Sequence, residues 1–308
     1  MPERPDVSVV LPTRDRADVL PRTLGTLATQ RLDRVRAELV VVDNGSTPAT
    51  LDVLEKLVAA HPWPARLVHE GRPGVAAARN AGLEAAQADL ILFTNDDVIP
   101  AADTWLAGHV QAHKSGQDRV GIMGPVVWHP RLHSTSIMRW LASGGHSHRY
   151  EAVRAGRVEP AEMYANNLSV HRRPLEEVGG FDVRFTSYGW QEYDLSLRLH
   201  DRGFRVRFVE ELEAWHDHEH DLRDSLRRME RIGRAAELFN EIHAGREGLL
   251  ASRPRAWEMA VGAAIAPVAR RMHVPERMPL ALAGPLYSLA HKSSMAVGYR
   301  AARRERAA

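Results

Sequence analysis

The feature that most constrains this chain is a stretch in which a short, fully apolar run ends abruptly in amide and carboxylate side chains. Residues 89–98 read D-L-I-L-F-T-N-D-D-V. Leu90, Ile91, Leu92 and Phe93 have the character of a strand buried on both faces of a parallel sheet, and Asn95, Asp96 and Asp97 follow directly. Oxygen-bearing side chains gathered at the carboxyl end of a buried strand suit a hard divalent cation, Mg²⁺ or Mn²⁺. That edge is also where open α/β sheets bind ligands. Two adjacent Asp residues alone would read equally as a polar turn, so the surrounding pattern has to decide.

That pattern is an alternation of strands and helices. Residues 7–11 (V-S-V-V-L) form a β-branched run closed by Pro12, and Val19, Leu20, Leu24 and Leu27 then recur at helical spacing. Residues 39–42 repeat the strand pattern and end in Asp43-Asn44-Gly45-Ser46 before a helix carrying Val53, Leu54, Leu57 and Val58. A third strand is expected at 66–69, followed by a Gly71-to-Gly74 turn and an Ala-rich helix over 75–86. Four such repeats predict an α/β fold with a doubly wound, mostly parallel sheet and right-handed crossovers. Neither G-x-x-x-x-G-K-[ST] nor G-x-G-x-x-G occurs, which argues against a P-loop NTPase or a standard dinucleotide fold.

Further along, Asp103 is expected to cap a helix to His113, and 120–127 to form one strand. Residues 128–163 lose periodicity, with His129, His133, His146, His148, the Gly144-Gly145 pair and a short helix at 137–141; a lid, a binding loop or plain disorder all fit such an insertion. Strands are expected at 166–170, 205–209 and 213–216, and helices at 174–178, after Gly189-Trp190-Gln191-Glu192, and over 221–243. The boundaries implied are a catalytic domain at 1–225 and a C-terminal helical extension at 226–308.

The extension carries apolar patches at 257–269 and 278–290, interrupted by Pro267, Pro279 and Pro285 and flanked by Arg270, Arg271, Arg300, Arg303, Arg304 and Arg306. Both are too short to span a bilayer. Helices packed on the catalytic body and an interfacial membrane contact are the two readings, and packing is favoured because apolar helix faces are usually core. The near balance of 41 basic and 39 acidic residues excludes an overall charge argument for nucleic acid. With no cysteine, disulfides, thiolate metal sites and a cysteine nucleophile are ruled out, and a cytoplasmic location, with peripheral contact at the inner face of the membrane, is the expectation. The polar residues 1–6 run straight into a strand, which argues against a signal peptide.

Taken in order, the motifs V-S-V-V-L-P-T-R-D-R, V-V-V-D-N-G-S, G-V-A-A-A-R-N-A-G, F-T-N-D-D-V, N-N-L-S-V, V-G-G-F-D, W-Q-E-Y-D-L-S-L-R-L and A-W-H, spread over 7–220, resemble those of the family 2 glycosyltransferases, which have the GT-A fold. The resemblance implies a nucleotide diphosphate sugar as donor, a divalent cation (Mn²⁺ or Mg²⁺) as cofactor, and a glycan, lipid-linked or small-molecule acceptor. It places the nucleotide sugar against Pro12, Thr13, Arg14, Asp43, Arg79, Asn95 and Asp96. It makes Asp97 and His216 metal ligands, with Asn95 beside them, and Glu192 the general base, Asp194 being its competitor. Trp190, Asn167 and Gly180 fall on the acceptor side, and His218 and His220 compete with His216. Two departures stand out: Asn95 replaces the first Asp of the family's D-x-D, and Gln191-Glu192 replaces its acidic pair. A nucleotidyltransferase and a non-catalytic nucleotide- or carbohydrate-binding protein are the alternatives. The first would carry a Gly-rich loop after strand one, which P-T-R-D-R lacks.

Overall fold

In the computed structural model the described residues are 3–114, 116–144, 150–154, 163–246, 256–271 and 274–307. Gly145, His146 and His148 lie outside them. The strands are β1 (Val7–Thr13), β2 (Ala37–Asp43), β3 (Ala65–His69), β4 (Leu90–Thr94), β5 (Val98–Pro100), β6 (Val120–Met123), β7 (Val126–Trp128), β8 (Asn167–His171), β9 (Arg205–Phe208) and β10 (Ala214–His216). The helices are α1 (Leu20–Ala28), α2 (Pro48–Ala59), α3 (Val75–Ala85), α4 (Trp105–Ala112), α5 (Ser136–Ala142), α6 (Tyr150–Arg154), α7 (Arg172–Glu177), α8 (Gln191–His200), α9 (Leu222–Ile242), α10 (Ala256–Ala269) and α11 (Leu280–Ala307).

The chain divides into two compact units. The first comprises Met1–Leu132, Arg149–Val183 and Glu192–His218, and it holds every strand. Its main sheet has seven strands in the order β3-β2-β1-β4-β8-β6-β9. All neighbours pair parallel except β8, which runs antiparallel to both β4 and β6. Period-two alternation splits β1 cleanly between two cores. Val10 joins Val40, Val42, Ile91 and Phe93 against Ala76, Ala78 and Leu83 of α3. Val7, Val9 and Leu11 join Leu39, Val41 and Leu92 against Leu20, Leu24 and Leu27 of α1, Leu54 of α2 and Trp105 of α4. A sheet covered on both faces is why the strands read as unbroken apolar runs.

The strand expected over 120–127 is two strands, β6 and β7. Pro125 supplies no N–H, and a Cβ on Gly124 would stand 2.0 Å from the Leu212 carbonyl oxygen, so the chain bends there and β7 leaves the main sheet. It joins a small three-stranded sheet, β5-β10-β7. In that sheet β10 runs antiparallel to β5, with His216 opposite Val98, and parallel to β7.

Asn167, expected on the acceptor side, proves to be structural. It is fully buried at the start of β8, its amide donates to the Pro125 and Leu212 carbonyls (3.2 and 2.7 Å), and its oxygen accepts from Trp105 Nε1 (3.1 Å) and faces His109 Nε2 (2.9 Å). With every polar atom committed inside the protein, it has nothing left for a ligand.

The second unit comprises His133–His148, Arg184–Gln191 and Glu219–Ala308. Asp221 caps α9 by accepting from the Asp224 N–H at 2.7 Å. Contrary to the sequence expectation, Pro267 and Pro285 do not end their helices but lie inside α10 and α11, each exposed. No helix among the described residues is long and apolar enough to cross a membrane.

Behind β8, burial pulls the imidazole of His109 down to about 3 and that of His113 to about 4, against 6.5 for the free group. Because both fold as neutral rings, the unfolded chain binds more protons between those values, and the stability they contribute is complete above 6.5 and is lost as the pH falls toward 4. Urea midpoints measured at about pH 7.5 and about pH 5 should therefore fall with acid, and His113→Gln should make that fall shallower. An unchanged slope in the variant would place the acid sensitivity elsewhere.

Candidate functional site

The strand order reverses direction between β1 and β4, because β2 and β3 lie to one side of β1 and β4, β8, β6 and β9 to the other. At such a switch point the loops leaving the two central strands part in opposite directions and open a crevice at the carboxyl edge. Here that edge carries Thr13 at the end of β1 and Arg14 just after it, Asp43 at the end of β2, and Asn95, Asp96 and Asp97 after β4. Pro12 is buried within β1, and Arg14 is exposed.

The two loops are fastened across the crevice. Thr13 Oγ1 donates to Asp96 Oδ2 (2.7 Å), and Thr23 Oγ1 of α1 donates to the Asp96 carbonyl (2.6 Å). Asp15, in the left-handed region at φ 53°, accepts from the Thr47 N–H (2.7 Å), while its own N–H donates to Ser46 Oγ (2.9 Å). A non-glycine residue adopts that conformation only where its surroundings compensate the strain. Asp43 is buried, its carboxylate accepting from the N–H groups of Ser46 (3.0 Å) and Gly45 (3.3 Å) and lying 3.5 Å from His69 Nδ1. It closes the turn at the crevice edge, whatever else it contacts.

Asp96 and Asp97 are both buried, and they repel one another. Burial, followed by the neighbouring Asp97 charge, pushes the Asp96 carboxyl up to about 7. The counter-charge is Arg16, which the sequence reading passed over: Nη1 lies 3.9 Å from Asp96 Oδ1 and Nη2 lies 3.5 Å from Asp97 Oδ2. Nη2 is buried yet makes no hydrogen bond, so this arginine compensates charge without fitting the carboxylates closely. Pairing of β5 with β10 brings His216 to the same place, with Nε2 3.7 Å from Asp97 Oδ2 and the ring edge-on to Trp128.

His218 is next to that ring, the two centroids 6.2 Å apart, whereas His220 belongs to the second unit. Between them lies a second residue missed from sequence. Asp217 is buried, with Arg22 bonding Oδ2 and Arg131 bonding Oδ1 through both Nε and Nη2 (2.7 and 2.5 Å), and its N–H donates to the Asp97 carbonyl (2.8 Å). An acid flanked by two histidines in H-D-H was the available signal.

Arg79 corrects a further expectation. It does not face outward to a diphosphate but is 2% exposed, donating from Nη1 to Glu192 Oε1 (2.7 Å) and from Nη2 to Asn95 Oδ1 and the Ala165 carbonyl (3.2 Å each). It is a positioning residue that holds an element of each side of the site. The same contact engages one lone pair of the Asn95 amide oxygen, the atom expected beside the metal.

Other assignments also change. Asp194 is fully buried and paired with Arg198 (2.6 Å), whose Nη1 also holds the Val178 and Gly180 carbonyls, so of the two acids on α8 it is Glu192, with its side chain 25% exposed, that reaches the crevice. Gly180 is a structural glycine: at φ 69°, a Cβ there would lie 2.6 Å from Asn80 Oδ1, where Asn80 binds the Phe181 backbone. Trp190 packs its indole on Phe239 and donates to the Ile232 carbonyl (3.0 Å) within the second unit, so its ring is engaged in packing.

The residues fit a divalent cation. Asp96, Asp97 and His216 offer hard oxygen and imidazole donors, and a weakly seated arginine already supplies positive charge there. Among the described residues no group of three or more His, Asp or Glu side chains is placed to hold a metal ion by itself, so these donors alone do not make a complete site. A shell completed by phosphate oxygens and water has that character.

A parallel-centred sheet with an acidic crevice at its switch point defines a GT-A type architecture. The mannosyltransferase PcManGT of Pyrobaculum calidifontis, solved in complex with GDP-Man and Mn²⁺, superposes with a TM-score of 0.62 at 20% identity, over 97% of this chain and 87% of that one. The profile of Glycosyl transferase family 2 matches residues 8–141, and that of Glycosyl transferase family group 2 matches residues 105–291. This chain therefore belongs to the family 2 glycosyltransferases. It is 29% identical over 246 residues to validoxylamine A glucosyltransferase of Streptomyces hygroscopicus subsp. jinggangensis, covering 70% of this chain and 57% of the relative. It is 31% identical over 243 residues to pre-mycofactocin glycosyltransferase of Mycobacterium tuberculosis, covering 76% of this chain and 47% of the relative. The chain thus spans about half the length of these curated relatives.

Removing the internal counter-charge should expose the carboxylate repulsion. Arg16→Ala is expected to lower the urea stability of metal-free protein by about 1–2 kcal/mol, and Mn²⁺ should narrow that gap. Equal stability of the two proteins without metal would show that Arg16 carries no such load.

Proposed function

We propose that this protein transfers a sugar from a nucleotide diphosphate sugar to a hydroxyl acceptor, with a divalent cation at Asp96, Asp97 and His216 and with Glu192 as general base. The observation that carries the reading is the buried guanidinium of Arg79, which bonds Asn95 at the donor edge and Glu192 at the acceptor edge at once. One rigid group thereby fixes the spacing between the leaving-group side and the base. The Mn²⁺ and GDP-Man of PcManGT support the cofactor and donor class, and the curated relatives support sugar transfer.

Glu192 Oε1 is committed to Arg79, so Oε2 receives the acceptor's hydroxyl proton. The acceptor oxygen forms its bond to the anomeric carbon as the bond from that carbon to the diphosphate oxygen breaks, and the electron pair leaves with the nucleoside diphosphate. A bound divalent cation supplies charge neutralisation for that leaving group. Thr13 and Thr23 hold Asp96, and Arg22 and Arg131 hold Asp217 next to His216, so the carboxyl edge is organised before any donor arrives. With one carboxylate at the reacting face, direct displacement inverts the anomeric configuration, which NMR of the product reads out.

Glu192→Gln should leave donor binding intact and lower turnover by about 10²- to 10⁴-fold. Undiminished turnover would move the base elsewhere. Asp97→Ala should abolish the Mn²⁺ dependence of donor binding measured by calorimetry, and a retained dependence would remove Asp97 from the metal site. In a panel of nucleotide sugars with Mn²⁺, nucleoside diphosphate is the expected product, whereas pyrophosphate released from a nucleoside triphosphate would indicate nucleotidyl transfer.

A further inference from the structure

The second unit has a pair of helices that each turn apolar residues outward. On α11 the outward residues are Ala281, Leu282, Pro285, Leu286 and Leu289, a continuous apolar face over its first three turns. Leu282 is 63%, Leu286 40% and Leu289 47% exposed. The inward face of the same helix carries Tyr287, His291, Ser293 and Ser294, all buried. Tyr287 bonds Ser136 of α5, and His291 bonds Ser225 of α9 at 2.7 Å. A helix that packs hydroxyls and an imidazole inside while showing leucines outside has the opposite pattern to a helix facing water.

The neighbouring helix also turns apolar residues outward, although its described inward residues, Gly262, Ala266 and Ala269, are apolar as well. α10 packs on α11 where Gly262 meets Ala296 and Ser293, and it turns Ala264, Pro267 and Val268 outward, Val268 being 69% exposed. The connection between the two helices carries exposed Arg270, Arg271 and Arg277, Arg270 being paired with Glu230 of α9 (2.6 Å). Its one acidic residue, Glu276, is also exposed, and its carboxylate accepts from the Ser136 N–H (2.7 Å). The other large apolar side chains exposed among the described residues are Val183 of the first unit and Tyr188.

We propose that this face docks on an anionic lipid bilayer, the leucines of α11 and Val268 of α10 entering the headgroup boundary and Arg270, Arg271 and Arg277 meeting phosphate groups. An apolar face accompanied by arginines is the composition of an element that lies in the interface plane, and neither helix is long and apolar enough to cross. A second copy of the chain would bring the same arginines together across a shared interface, whereas a negatively charged headgroup layer neutralises them. Charge complementarity therefore selects the bilayer. The inference does not depend on the transferase reading, since it concerns a surface in the second unit alone.

The experiment is flotation of the full chain with phosphatidylcholine vesicles containing or lacking phosphatidylglycerol. Binding is expected to the anionic vesicles and to weaken in high salt. A triple variant, Leu282→Ser with Leu286→Ser and Leu289→Ser, should partition at least about tenfold less, with an unchanged circular dichroism melt because the three side chains are exposed. As a readout that keeps the face apolar, Leu286→Trp should shift its emission to the blue on vesicle addition and be quenched by brominated acyl chains. Absence of flotation, triple-variant flotation equal to wild type, or an unquenched tryptophan would each overturn the proposal. So would a wild-type dimer in sedimentation velocity that the triple variant converts to monomer, which would assign the face to a second copy.

Discussion

The first unit depends on one electrostatic problem: two adjacent carboxylates at the end of a buried strand. Leu90 to Phe93 cannot be moved without opening both cores, so Asp96 and Asp97 are delivered to the carboxyl edge whatever their mutual repulsion costs. The surrounding groups are arranged to bear it. Thr13 donates to one carboxylate, Arg16 stands near both, and the His216 ring reaches the second. A site of this kind is electrostatically incomplete without added positive charge.

Arg79 links that problem to the acceptor side. The family's D-x-D begins with Asn here, and the reason is visible in the contact: Arg79 donates to both Asn95 and Glu192. A carboxylate at position 95 would draw the guanidinium to itself and leave the glutamate less firmly held. Replacing one Asp by Asn thus shifts the arginine's charge toward Glu192. Asn95 and Glu192 are better understood as a matched pair than as two separate departures.

Much of the fold was legible because its signals are local. Apolar runs of four or five residues, each followed by turn chemistry and then a 3.6-residue period, located β1 to β4 and the helices between them. The break between β6 and β7 was not legible, since it follows from a carbonyl of Leu212 pressing on Gly124 from far along the chain. The same limit governed the site. Asp43, Asp96, Asp97 and Glu192 lie at the carboxyl edge because strand ends and helix starts fix them there, but Asn167, Gly180 and Asp194 carry similar chemistry into the interior. Only tertiary partners, Trp105 and His109, Asn80, and Arg198 respectively, separate the two groups. Arg16 and Asp217 were overlooked for the converse reason, as their importance comes from neighbours distant in sequence.

The clamp on Asp217 has a bearing on how the protein is made. Its two arginines lie 195 and 86 positions upstream, so closing it requires loops among the longest this chain can form. Contacts of such separation pay their entropy late, after the local strand–helix repeats have condensed. During synthesis, β1 to β4 have all left the ribosome before β8 inserts beside β4 and before β10 supplies the histidine. At that stage Thr13, Thr23 and Arg16 are already available to the acidic edge, while His216 and the Asp217 clamp are not. That interval, rather than the finished enzyme, is where a chaperone would find most to hold.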